Sequence, residues 1–103
     1  MKVRLIVPLV IGPGEEGRLV DPIGLYGLSI AKIAGGFTAF KATGGWIGPS
    51  GLVVEPVMVF DCAYTITPLA SCDWRQLAQR IAQELRQDCV YLEIDGQVEL
   101  VKP

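Results

Sequence analysis

The sequence predicts an α+β domain of ferredoxin-like topology, βαββαβ, with two helices on one face of an antiparallel sheet and a short extra strand at the C-terminus. Two observations lead there. The periodic segments run strand, helix, strand, strand, helix, strand, with one more short strand behind them, and two right-handed β-α-β crossovers in one sheet satisfy that order with both helices on the same side. The middle of the chain, Gly35 to Tyr64, reads as a long two-stranded ribbon whose return arm is apolar on both parities, so both of its faces call for cover.

Composition sets the outer limits. The chain has 103 residues, half of them apolar and 19% charged, which describes one globular domain over residues 1–103 rather than a disordered chain. A chain this small shelters a modest share of its surface, so an apolar excess points to a second subunit as cover. The net charge of −2, without a basic run, offers no footprint for a phosphate backbone, and no nucleic-acid partner is expected. The first apolar run, Leu5 to Ile11, is too short for a membrane span and has no cleavage site behind it, so a cytoplasmic protein is expected. Three cysteines without CxxC spacing and no histidine point to neither a metal set nor a disulfide, and no cofactor motif emerges.

Taken in order, Lys2 to Ile11 alternates, with Val3, Leu5, Val7 and Leu9 on one parity and Lys2 and Arg4 on the other. This is a strand, and Pro8 suggests a bulge or local edge near its end. Gly12 to Gly17 breaks regular structure, and its Glu15 and Glu16 read as solvated charge or a weak cation site. Asp21-Pro22 starts a helix, Asp as N-cap and Pro at N1. That helix runs to about Ala34 with Ile23, Tyr26, Ile30 and Ile33 toward the sheet, and Gly35-Gly36 ends it. The ribbon reverses at Gly48-Pro49-Ser50-Gly51, four residues that supply a fixed φ and freely accessible positive φ. On its return arm Val57 and Val59 lie on one face and Met58, Phe60, Cys62 and Tyr64 on the other.

The second helix carries Ser71 as N-cap, Asp73 in its first turn, and one apolar stripe of Trp74, Leu77, Ala78, Ile81, Ala82 and Leu85. The tail, Cys89 to Val101, forms a hairpin. A three-residue loop, Ile94 to Gly96, is expected there, because it sets Leu92 against Val98 and Val90 against Leu100 and keeps charge off the apolar face.

The run GGFTAFKATGGWIGPSGLVVEP from Gly35 resembles a pattern in small bacterial, phage and mobile-element proteins of unknown function: a helix closing in Gly-Gly, a strand with Thr and then Gly-x-Trp, a tight turn, and Glu on the return strand. The resemblance covers about a fifth of the chain, with the same element order around it. It implies a ferredoxin-like fold with the trimeric habit of PII and CutA-like relatives, and brings no catalytic residues. The ribbon turn is too short for the long regulatory loop of PII proteins, and their nucleotide pattern is missing.

Two constellations stand out as ligand sites. Trp46 and Glu55 lie on opposite arms of the ribbon near its turn, where an aromatic wall and a carboxylate could hold a cationic or polar ligand; the alternative is that Glu55 is solvated or pairs with Lys41. Asp61, between Phe60 and Cys62, has a raised pKa unless it is paired, and Arg4 on the first strand is the partner to expect. Tyr64 follows on the same arm. No histidine or lysine cluster activates Cys62 as a nucleophile. The function expected on these residues is that of a non-catalytic homo-oligomeric module, dimer or trimer through the open sheet face, that binds a small ligand or a protein. The alternative is a cofactor-free enzyme of the dimeric α+β barrel type, using Asp61 or Tyr64 for proton transfer.

Overall fold

The computed structural model describes residues 1–12, 18–63 and 70–103, residues 70 and 71 by backbone alone. In chain order it has β1 (Val3–Pro8), α1 (Pro22–Ala34), β2 (Thr38–Gly48), β3 (Gly51–Cys62), α2 (Ala70–Glu84), β4 (Val90–Ile94) and β5 (Gln97–Val101). The strands form one sheet, β2-β3-β1-β4-β5, antiparallel throughout. This is the ferredoxin-like βαββαβ arrangement, with β5 added outside β4.

Local chemistry sets the element ends. The Asp21 side chain accepts the Gly24 N–H at 3.1 Å, Pro22 occupies the first turn, and Gly35 at φ 86° donates its N–H to the Ala31 carbonyl at 2.7 Å. The buried row of α1 steps by four through Pro22, Tyr26, Ile30 and Ala34, which leaves Ile23, expected on this side, at the margin and 44% exposed. In α2 the stripe Trp74, Leu77, Ala78, Ile81 and Ala82 is buried, and Leu85 just past the helix is buried with it. Because α2 begins at Ala70, Ser71 lies inside the first turn rather than ahead of it, a correction to its expected capping role. The helices are tied to each other: the Tyr26 hydroxyl donates to Glu84 at 2.8 Å, and the Arg80 guanidinium lies 5.7 Å over the Tyr26 ring.

Pairing register sorts the sheet into two faces. Val3, Leu5 and Val7 of β1 stand across from Cys62, Phe60 and Met58 of β3, and with Val90 and Leu92 of β4 they pack in the helix-side core. The opposite face carries Arg4, Ile6, Val57, Val59, Asp61, Phe40, Tyr91, Glu93, Val98 and Leu100. Val57 and Val59 are buried although they lie outside the helix-side core; the register sets Val59 between Ile6 and Phe40. Phe40, Val98 and Leu100 remain 43%, 52% and 59% exposed on this helix-free face. Strand β1 stops pairing with β3 at Pro8 and Val57, the Leu9 N–H donating to the Pro56 carbonyl at 3.0 Å. Beyond Pro56 the β2–β3 hairpin therefore runs on as a free arm, where the missing proline amide costs no ladder bond to β1.

The C-terminal hairpin corrects the expected register. It turns on two residues, Asp95 (φ 49°) and Gly96 (φ 84°), and pairs Ile94 with Gln97, Glu93 with Val98, Leu92 with Glu99 and Val90 with Val101, the signature of a type I′ turn. A contact distant in sequence decides it: the Asp95 N–H donates to the Lys2 carbonyl at 2.8 Å, and the Asp95 carboxylate accepts the Lys2 N–H at 2.7 Å. Charge beside Leu92 is tolerated because β5 is an exposed edge and Glu99 is held by Arg75 at 2.8 Å. Asp95→Ala should lower stability by about 1–2 kcal/mol, from the left-handed backbone and the lost bond to Lys2. Asp95→Asn should stay within a few tenths of a kcal/mol of the parent by the same accounting. Urea unfolding of both variants reads the difference.

Candidate functional site

The free arm of the ribbon positions the first constellation. On its helix-free face the register pairs Ala42 with Val57, Gly44 with Glu55 and Trp46 with Val53, so Trp46 and Glu55 are diagonal neighbours on one surface. Glu55 has no side chain opposite it, since residue 44 is glycine. Burial alone pushes the Glu55 carboxyl above the ordinary range, and no described residue supplies a hydrogen bond or a cation to it. Lys41, the partner weighed from sequence, stands across from Met58 on the other face of the hairpin. Trp46 is 46% exposed.

Asp61 and Arg4 come together at the other end of the sheet, as expected from their strands. Arg4 Nε donates to Asp61 Oδ1 at 2.8 Å and the terminal guanidinium nitrogen to Oδ2 at 2.9 Å. This two-pronged bond holds the Asp61 carboxyl below the ordinary aspartate range. The pair lies in a cleft of about 590 Å³ that also takes in Lys2, Thr38, Glu93 and Asp95, a size within the roughly 300–1,000 Å³ of small-molecule sites. Its carboxylates are largely engaged: Asp61 by Arg4, Asp95 by the Lys2 backbone, and Glu93 by the Tyr91 hydroxyl at 2.7 Å. Burial, with Asp61 beside it, pushes the Cys62 thiol up to about 11, so it stays protonated at neutral pH.

The structure thus separates the two constellations by about 20 Å, six residues along β3 at roughly 3.3 Å each. Tyr64 and loop residues 13–17 lie outside the described residues. Among the described residues no group of three His, Cys, Asp or Glu is placed to hold a metal ion, and no helix is long and apolar enough to cross a membrane. Sequence reading missed Lys2, Glu93 and Asp95 as neighbours of Asp61, since that grouping needs the β3-β1-β4 order. It also missed Gly44, whose place across from Glu55 follows from the Gly48–Gly51 turn once the ribbon is paired back from it.

No family model and no curated protein matches the chain. Two solved structures match in fold, those of a phage SAM lyase, one in complex with S-methyl-5'-thioadenosine and one in the apo state. Each aligns with a TM-score of 0.71 at 16% identity, over 99% of this chain and 88% of that one. The shared property is the fold, so the resemblance to PII and CutA-like proteins stands at that level only. The comparison also corrects the expectation of a non-catalytic binding module that is not an enzyme. The same arrangement of strands and helices, over nearly the whole chain, is one on which a lyase is built.

Proposed function

We propose that this chain is a lyase that acts on S-adenosylmethionine or a close sulfonium relative, releasing S-methyl-5'-thioadenosine, with Glu55 and Trp46 at the binding site. The observation that carries this is Glu55, a carboxylate without a partner beside an exposed indole, on a fold shared with a SAM lyase. A sulfonium compound is a cation, and an indole face together with an unpaired carboxylate is the combination that attracts one. Asp61 is less suited, because Arg4 already neutralises it.

The chemistry asks little of the protein. The bond between sulfur and the amino-acid arm breaks with its electron pair going to sulfur, and the arm's own carboxylate oxygen closes on the carbon left behind as a five-membered lactone. No water, oxidant or external acid is consumed, since sulfur leaves as a neutral thioether. Positive and negative charge vanish together in that step, so apolar walls such as Val53, Val57 and Trp46 favour it over water. Ring closure is preferred to elimination because the β-hydrogens of the arm are not activated for removal by a carboxylate.

The whole chain works as one unit in the cytoplasm, in keeping with three free cysteines. It associates with copies of itself through the helix-free sheet face, where Phe40, Val98 and Leu100 are exposed. Incubation of the purified protein with S-adenosylmethionine, read by mass spectrometry, should yield the thioadenosine and a lactone faster than the substrate decays alone. A rate equal to that of the protein-free control would overturn the proposal.

A further inference from the structure

Gly44 is an interior strand residue that the backbone does not require to be glycine. Its φ lies outside the left-handed region, where Gly35, Gly51 and Gly96 are found. The register runs one-to-one from Thr38 against Asp61 to Gly48 against Gly51, so there is no bulge for it to serve. Glycine inside a regular strand weakens it, and with turn and bulge set aside it marks a place where another group approaches the backbone closely. A Cβ on Gly44 would stand 3.2 Å from the Val57 Cγ1 and 3.9 Å from the Glu55 carbonyl oxygen, so only a small side-chain adjustment separates glycine from alanine here. By contrast, a Cβ on Gly48 would come within 2.9 Å of Val53, a glycine explained by packing.

The missing side chain leaves a notch on the helix-free face of the arm. Ala42 and Trp46 flank it two residues away on either side, about 13 Å apart at roughly 3.3 Å per residue, and Glu55 closes it across the strand pair. The floor is bare peptide, Ala42 and Trp46 stand at its two ends, and along its side stand the unpartnered Glu55 and Val57, whose Cγ1 lies 3.2 Å from where a Cβ would sit.

We propose that Gly44 is a specificity-determining residue: the adenine of a thioadenosyl ligand lies over its backbone, between Ala42 and Trp46, and a side chain at this position excludes it. This rests on the lyase reading above and adds to it the part of the ligand that each residue meets. A second copy of the chain approaching the same glycine is the competing explanation.

The test is calorimetric titration of S-methyl-5'-thioadenosine into the parent protein, Gly44→Ala and Gly44→Val, with the mass of each followed by sedimentation and the fold by circular dichroism. Filling a fitted space costs binding about 10-fold to 100-fold, with valine at the upper end, the mass unchanged and the sheet spectrum retained. Equal affinity in all three proteins overturns the proposal, as does a loss of affinity that follows a change in mass, which would assign Gly44 to subunit packing. Should the valine variant fail to fold, the alanine variant carries the comparison, since its Cβ needs only Val57 to yield. No binding by the parent protein removes the lyase reading and this inference with it, whereas binding by the parent that survives at full strength in the variants removes this inference alone.

Discussion

Glu55→Gln is expected to cut release of S-methyl-5'-thioadenosine about a hundredfold while making the protein slightly more stable at neutral pH. On the lyase proposal the loss is one of substrate binding, because the positive charge that Glu55 would face disappears in the step itself, and it is read with substrate well below KM. Truncating one partner of such a pair costs about 2–5 kcal/mol, and each 1.4 kcal/mol is tenfold in affinity. The gain follows from linkage. Burial raises the Glu55 carboxyl above its ordinary value, so between the unfolded and folded values the native state holds more proton than the unfolded chain. Stability therefore falls as pH rises through that window, and above it the ionised group is a standing cost that glutamine lacks. The stability difference between parent and Glu55→Gln should accordingly shrink as pH drops below the ordinary glutamate value, and the parent's activity should fade over the same window as Glu55 takes up its proton. Thermal melts and rates measured from pH 4 to 8 by these rules read both arms.

Asp61 behaves oppositely, because the bond from Arg4 lowers its carboxyl. Its contribution to stability is present above the ordinary aspartate value and lost as pH falls through the lower folded one. The Asp61→Asn variant thus separates the two carboxylates. A collapse of turnover at 61 rather than 55 would move the site from the ribbon to the cleft.

Much of this architecture was legible because local chemistry and the global fold agree. Asp21-Pro22 and Gly35 mark the ends of α1, and the stripe from Trp74 to Leu85 marks the buried side of α2. The Arg4–Asp61 pair was legible for a different reason: a charge inside an otherwise apolar strand needs a partner, and one parity of β1 offered it. The tail register was not, since both hairpin loops satisfy local rules and the choice falls to the Lys2 backbone 93 residues away. Ile23 was misplaced because a one-residue difference in where the buried row of a helix is anchored, Pro22 rather than Ile23, shows only once the sheet is in place. The candidate site was half legible. Trp46 and Glu55 can be paired from the turn outward, but their chemistry has no motif, and Gly44 looks in the sequence like any glycine near a bend. The lyase chemistry proposed above would leave no spacing to find, because it calls on no metal set, no histidine and no activated nucleophile.

The largest effect on the physical state of the protein is expected from charge placed on the helix-free face. Phe40 and Leu100 lie in the row Phe40, Val59, Ile6, Tyr91 and Leu100, which crosses all five strands. Next to it runs a row that is polar across four strands, Thr38, Asp61, Arg4 and Glu93, and ends in the apolar Val98 of β5, so an apolar band has a charged rim on one side, a pattern that interfaces share. Both target side chains are more than two-fifths exposed in the single chain, so the substitution Phe40→Asp with Leu100→Asp leaves the helix-side core alone and the variant should fold. Between subunits, however, each buried side chain of this size contributes about 1.5–3 kcal/mol. Losing two weakens association by roughly 10²–10⁴-fold, at 1.4 kcal/mol per tenfold, before the cost of burying the new carboxylates is added. The parent protein should sediment as a dimer or trimer at micromolar concentration and the double variant as a monomer with an unchanged circular dichroism spectrum. Val57 and Val59 are already sheltered within the single chain, so a parent that sediments as a monomer under those conditions would mean that the exposed band of Phe40, Val98 and Leu100 has another purpose.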